Sequence, residues 1–275
     1  MRRSWADPKL IRPPDDLDWQ TWVDRWDRMQ QHYLVKRSER LETVWRTVAQ
    51  TQPSVERVVD LGCGTGSLML AFLEAFPDAE VCGIDLDPRL LWLAEARLAR
   101  FGSRARLVLA DLRGDSWKEE VPKPADSVVS ATALHWLSPA QIARLYREVH
   151  QVMRVGGIFL NADHVASDSM QIQRYWERHR EQMRSAESDP EIIQEREPWD
   201  GFWSSYSEAL GPAAHPIDPT PIGDREGAVE EGMPLAWHLD RLREVGFAHV
   251  DCFWRCDCDA IYGGARTGMP DPVTS

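Results

Sequence analysis

The chain predicts an α/β fold: a doubly wound, mostly parallel sheet with a C-terminal antiparallel hairpin and a helical cap. Three observations predict it. Between residues 55 and 165, short apolar runs with β character alternate with amphipathic stretches, the pattern of a parallel sheet covered by helices on both faces. The first of these runs ends in Asp60 and passes into a glycine-rich turn, Gly62-Cys63-Gly64-Thr65-Gly66, that opens a helix. Beyond residue 165 the alternation stops, and order resumes only late, as one helix followed by two strand-like runs.

Taken in order, residues 1–54 read as a loop followed by helix. Trp19, Trp22, Trp26, Met29 and Tyr33 recur at steps of three and four, forming one apolar helix stripe. Leu41, Val44, Trp45 and Val48 continue that periodicity until Pro53 ends it. Strands are expected at 55–61, 79–84, 105–110, 127–131 and 157–161, with helices between them at 67–76, 88–101 and 139–153. Ser138-Pro139 is an N-cap followed by proline at the first helical position, and Gly156-Gly157 suits a helix C-terminus.

Helical patterns follow at about 168–186 and 198–210. Residues 211–234 then hold five prolines and four glycines, the composition of a lid, a binding loop or a disordered segment. A helix over Leu235–Val245 stops at Gly246, and strands at 249–256 and 260–265 form an antiparallel pair at the sheet edge. The organisation expected is therefore an N-terminal cap segment (1–54), a cofactor-binding core (55–165) and a helical insertion completing the cap (166–234). The core's last helix and hairpin, with a tail, occupy 235–275.

Composition disfavours several function classes. The net charge of −12 repels phosphate backbones. Arg2, Arg3, Arg97, Arg100, Arg104 and Arg106 are too few and too interleaved to make a basic groove, so no nucleic-acid partner is expected. No apolar run of about 18 residues exists, so no membrane partner is expected either. The N-terminus lacks the apolar stretch of a signal peptide. Five cysteines, an odd number, fit reduced thiols in a cytoplasm. Cys252, Cys256 and Cys258 share one parity but do not have four-ligand zinc spacing, and no metal is expected.

The chemistry sits in the turn after the first strand. Glycines there let a ligand approach the backbone, and the helix start offers unpaired N–H groups. Asp85 closes the second strand, 19 residues after Gly66, where a carboxylate accepts both hydroxyls of a ribose.

The stretch Asp60-Leu61-Gly62-Cys63-Gly64-Thr65-Gly66 resembles the first motif of the class I S-adenosylmethionine-dependent methyltransferases, whose fold is Rossmann-like. Further blocks resemble that family in order and spacing: Gly83-Ile84-Asp85-Leu86-Asp87-Pro88, Ala110-Asp111-Leu112, residues 126–137 and residues 155–160. The Ala133-Leu134-His135-Trp136-Leu137 stretch is similar to a small-molecule subset that includes the trans-aconitate methyltransferases.

The resemblance implies S-adenosyl-L-methionine as cofactor and a small molecule as partner. It implies that Gly62, Gly64 and Gly66 admit the methionine part while Asp60 holds its amino group. Asp85 takes the ribose, Leu86 packs on the adenine, and Asp111 and the Leu112 backbone meet the adenine edge. Ser130 and His135 sit where the fourth strand meets sulfonium and substrate. His135 and His164 are the candidate bases, with substrate positioning or a structural role the alternative for each. Tyr33 and Arg37, four apart on one helix face, are candidates to close the cofactor pocket, with Arg37 on the methionine carboxylate or exposed to solvent.

Of the 13 tryptophans, only Trp92, Trp117 and Trp136 fall within 55–165. Trp199, Phe202, Trp203 and Tyr206 form a second aromatic stripe at helical spacing. Trp136, Trp22, Trp26, Trp199 and Trp203 are therefore the candidate walls of an acceptor pocket. The competing readings are a nicotinamide-dependent oxidoreductase, from which Ser67 departs at the third glycine position, and a non-catalytic protein that binds S-adenosylmethionine.

Overall fold

The computed structural model describes residues 10–186, 197–214 and 232–267, apart from the side chains of His32 and Ala186. The strands are β1 (Arg57–Leu61), β2 (Glu80–Asp85), β3 (Ala105–Leu109), β4 (Ala125–Ala131), β5 (Met153–His164), β6 (Phe247–Cys256) and β7 (Asp259–Arg266). They make one sheet in the order β3-β2-β1-β4-β5-β7-β6. The pairs among β1 to β5 are parallel, and β7 runs antiparallel between β5 and β6.

The helices are α1 (Trp19–Tyr33), α2 (Arg37–Thr51), α3 (Ser67–Ala75), α4 (Pro88–Leu98), α5 (Trp117–Glu120) and α6 (Pro139–Val152). After β5 come α7 (Met170–Ala186), α8 (Trp199–Leu210) and α9 (Leu235–Val245). Their starts follow from the sequence. Asp87 and Ser138 accept hydrogen bonds from the first-turn backbone of α4 and α6, each with proline next in line, and Gln141 completes a capping box with Ser138. Gly246 ends α9 in the left-handed region at φ 106°.

Neighbouring strand residues point to opposite faces, which divides the core in two. Val58, Val81, Leu107, Val129 and Leu160 join one apolar layer with α1 to α4 and α8. Val59, Cys82, Val108, Val128 and Phe159 join the other with α5, α6 and α9. Each such Val, Leu or Phe contributes about 1.5–3 kcal/mol by leaving water. β1 has β2 on one side and β4 on the other, so the connections leaving the carboxyl ends of β1 and β4 diverge and open a crevice there.

Four expectations change. The N-terminal helical run is two helices, because Lys36 adopts left-handed φ 54°, ψ 34° and Val35 is buried at the break. No glycine or proline marks residues 34–36, so periodicity hid the break. Gly156 and Gly157 do not end α6, which caps at Met153; they lie inside β5, which starts earlier than position 157. A Cβ on Gly157 would stand 2.8 Å from the Asp126 carbonyl oxygen, so glycine there serves close strand packing beside an irregular register. The short helix α5 was not expected. Cys258 lies in the turn between β6 and β7 rather than on a strand face with Cys252 and Cys256. The loop expected over 211–234 falls largely on 215–231, outside the described residues.

The two aromatic stripes meet. Phe202 of α8 lies 5.9 Å from Trp22 and 5.3 Å from Trp26 of α1 between ring centroids, and Tyr206 lies 5.0 Å from Trp22. The Tyr206 hydroxyl donates to the Arg89 carbonyl over 2.9 Å, fastening α8 to the first turn of α4. By contrast, α7 leaves Met170, Ile172 and Tyr175 exposed and brings only Arg184 to the cleft described next.

Candidate functional site

The crevice at the carboxyl ends of the strands continues under α1 and α8 as a cleft of about 1020 Å³. Its first wall is the turn after β1. Gly62 holds φ 68°, and a Cβ there would meet Ala133 at 2.4 Å, so only glycine lets this turn approach the β4 loop. Gly64 lines the cleft, and a Cβ on it would meet nothing within 4 Å. Gly66 does not line the cleft. It sits at the start of α3, where an added Cβ would stand 2.9 Å from Leu98, so glycine there serves close packing of α3 on α4.

Asp60, at the end of β1, is buried and yet lines the cleft. Neither of its carboxylate oxygens has a hydrogen-bond partner. Burial, with Asp85 nearby, pushes its carboxyl up to about 8. Asp85 accepts the Gly64 N–H over 2.7 Å on one oxygen and the Asp87 N–H over 2.9 Å on the other. Burial pushes it up to about 6 despite those bonds. It therefore braces the glycine turn while facing the cleft. Leu86 is exposed beside it. Asp111 follows β3, where it accepts from the Arg113 backbone N–H over 2.7 Å and pairs with that guanidinium. Leu112 lines the cleft while its carbonyl accepts from Arg144.

Over the glycine turn lies a second charged layer. Arg37 begins α2 and donates to Ser67 Oγ over 2.7 Å and to Asp27 over 3.2 Å. Arg97 of α4 pairs with both oxygens of Asp27 at 2.8 and 3.0 Å. Arg37 is 15% exposed and lines the cleft, which removes the solvent-exposed alternative. Tyr33 ends α1, so it and Arg37 stand on different helices, and both still reach the cleft. The Tyr33 hydroxyl accepts the Trp199 N–H over 3.0 Å, tying α1 to the start of α8.

The third wall is built at the ends of β4 and β5. Ser130 is buried, and its Oγ donates to the Leu61 carbonyl over 2.7 Å. It ties β4 to β1 and does not line the cleft; Ala131, Thr132 and Ala133 do. His135 follows, in a turn over Leu134–Trp136. Its Nδ1 lies 2.6 Å from Asp163 Oδ1, and its backbone N–H donates to Asp163 Oδ2 over 3.1 Å. Burial opposes ionisation of Asp163, but His135 and then His164 hold its carboxyl well below the usual range. His164 Nδ1 lies 2.7 Å from Asp259 of β7, which also accepts from Arg40 over 3.2 Å.

The fourth wall is aromatic. Trp26, Trp136, Trp199 and Trp203 line the cleft. Trp22 does not, because it points into the joint between α1 and α8, where Arg25 stacks 4.1 Å over its ring. It is an interior residue of the cap. Asp27, Arg97, Arg40 and Asp259 belong to no local motif, so nothing in the sequence marks them as part of this site. Among the described residues no group of three or more His, Cys, Asp or Glu side chains is placed to hold a metal.

Residues 58–157 match a family model described as a methyltransferase domain. Carboxy-S-adenosyl-L-methionine synthase from Campylobacter lari is 23% identical over 137 residues, which are 50% of this chain and 56% of that protein. Trans-aconitate 2-methyltransferase from Streptomyces avermitilis is 34% identical over 89 residues, 32% of each chain. The chain thus spans about half the length of the first of these curated relatives. Among solved structures, the pyocyanin biosynthetic protein PhzM is similar in fold, with a TM-score of 0.51 at 20% identity over 92% of this chain and 63% of that one.

Proposed function

We propose that this chain, whose core over residues 58–157 is a class I S-adenosylmethionine-dependent methyltransferase domain, moves a methyl group to an oxygen, nitrogen or carbon of a small, partly apolar or aromatic metabolite. One observation carries the reading most: Asp60 is a buried acid without a partner, facing a cleft beside a glycine turn. An ammonium group is what such an acid lacks. The other cofactor residues fit the same orientation. Arg37 suits a carboxylate, Asp85 two ribose hydroxyls, Leu86 an apolar ring face, and Asp111 with the Leu112 backbone a ring edge.

Bound there, S-adenosyl-L-methionine supplies an electrophilic methyl carbon on a sulfonium. The chain's own task is to place the acceptor in line and close to it, which accounts for much of the rate in such displacements. Trp26, Trp136, Trp199 and Trp203 orient an apolar or aromatic acceptor, and α1 with α8 keeps water from it. His135, with Nδ1 held by Asp163, is the proton acceptor at the β4 end.

Asp60 makes cofactor binding a proton-linked event. With its carboxyl near 8, it is mostly protonated at pH 7 in the free protein. An ammonium partner favours the ionised form, so binding S-adenosylhomocysteine expels a proton. Calorimetry at pH 7 in two buffers of different ionisation enthalpy is expected to show release approaching one proton. Heats independent of buffer would contradict this role for Asp60.

Catalysis is tested by incubating the full chain with methyl-labelled S-adenosylmethionine and a panel of small hydroxyl-, amino- and carboxylate-bearing metabolites. Protein-dependent transfer of label to one of them is expected. Tight S-adenosylhomocysteine binding with no transfer to any would favour a non-catalytic binder. His135→Ala is expected to lower transfer by about 10²–10⁴-fold while cofactor affinity changes little. Transfer at the wild-type rate would make His135 a packing residue.

The small-molecule reading, without nucleic acid or membrane, is supported by the net charge of −12 and by the size of the cleft. No helix among the described residues is long and apolar enough to cross a membrane. All five cysteines are unpaired, which supports a reducing compartment such as the cytoplasm.

A further inference from the structure

The acceptor end of the cleft has a paired construction that its neighbours lack. His135 and His164 stand with ring centroids 5.1 Å apart. In each, Nδ1 lies beside a carboxylate that does not itself line the cleft: His135 hydrogen-bonds Asp163 at 2.6 Å, and His164 stands 2.7 Å from Asp259. Asp163 is 1% exposed and Asp259 3% exposed, so each imidazole stands between its acid and the cleft. Arg40, itself buried, clamps the second pair by donating to Asp259 and to the Ala162 carbonyl. A buried carboxylate hydrogen-bonded to Nδ1 favours a proton there, which leaves Nε2 of His135 to accept one. Both histidines line the cleft.

The acids that do line the cleft are Asp60, Asp85, Asp87 and Asp111, all on the β1 to β3 side. Among the described residues, no carboxylate lines the β4–β5 side, where an ammonium acceptor would need one. Two adjacent imidazoles beside the Trp136 ring, whose centroid lies 5.1 Å from that of His135, match two adjacent hydroxyls on a flat ring. We propose that the acceptor carries two neighbouring hydroxyls on an aromatic ring and that one of these oxygens takes the methyl group, with His135 as its base and His164 holding its neighbour. The proposal rests on the methyltransferase reading. As the attacking oxygen bonds to the methyl carbon, its O–H proton passes to His135 Nε2. The carbon–sulfur bonding pair stays on sulfur, leaving the neutral thioether S-adenosylhomocysteine.

The test uses the full chain, saturated with S-adenosylhomocysteine, and two probes of equal size, 2,3-dihydroxynaphthalene and 2,3-diaminonaphthalene. Imidazole ¹⁵N resonances of both histidines, assigned with His135→Gln and His164→Gln variants, are followed by NMR. The dihydroxy probe is expected to shift both histidines and to bind at least about tenfold more tightly than the diamine. Equal or tighter binding of the diamine overturns the proposal. So does a dihydroxy probe that leaves either histidine unmoved. Backbone amides of Gly62 and Gly64 report cofactor binding in the same sample. If they do not respond, the cofactor reading fails separately, and the same probe comparison on the cofactor-free chain still decides this one.

Discussion

Replacing Phe202 by alanine is expected to cost about 3–5 kcal/mol of stability, the usual range for removing a fully buried phenylalanine. Phe202 is 0% exposed. It contacts Trp22 and Trp26 of α1 and Trp203 and Tyr206 of α8, with centroids 5.3 to 5.9 Å away. Phe202 is thus the ring on which the two helices converge. Deleting it empties the joint between the two helices, and the surrounding indoles are too rigid to fill the space. A denaturant titration should show a lower midpoint with an unchanged slope. Because Trp26 and Trp203 also line the cleft, acceptor binding should weaken alongside. A loss below about 1 kcal/mol would mean that α1 and α8 hold their places without this joint.

The second large effect is expected at Asp85. Asp85→Ala should weaken S-adenosylhomocysteine binding by about 1.5–3 kcal/mol, or roughly 10–150-fold, because it removes a charged acceptor. Part of that loss comes through the protein itself. The Gly64 and Asp87 N–H groups both donate to this carboxylate, so the glycine turn loses its brace together with the ribose contact. Asp85→Asn keeps one acceptor oxygen and should fall between the two. An unchanged dissociation constant in the alanine variant would show that Asp85 does not face the ribose.

What the sequence made legible was whatever it encodes locally. The turn from Asp60 to Gly66 and the acid at Asp85 are contiguous with the strands that place them, and α9 ends at Gly246 by a cap that can be read directly. Side chains that meet through the fold were illegible. His135 and Asp163 lie 28 positions apart, and Arg40 and Asp259 lie 219 apart, with nothing local in either to announce the other. Ser130 belonged to the right strand, but strand alternation turned it into the sheet, where it donates to Leu61. Trp22 and Trp26 share one stripe, yet one turn of helix separates a cap interior from a cleft wall. The break at Lys36 carried no glycine or proline, and that break is what starts α2 at Arg37, above the glycine turn.

The excess of tryptophan follows the same logic. Outside the core, Trp22, Trp26, Trp199 and Trp203 gather where α1 meets α8. Three of these rings, Trp26, Trp199 and Trp203, line the cleft, and Trp22 fills the joint behind them.

Whether this cleft holds S-adenosylmethionine is decided by calorimetric titration of the full chain with S-adenosylhomocysteine and, separately, with NADH. Saturable one-to-one binding of S-adenosylhomocysteine is expected, and none of NADH. Binding of NADH without S-adenosylhomocysteine would contradict it.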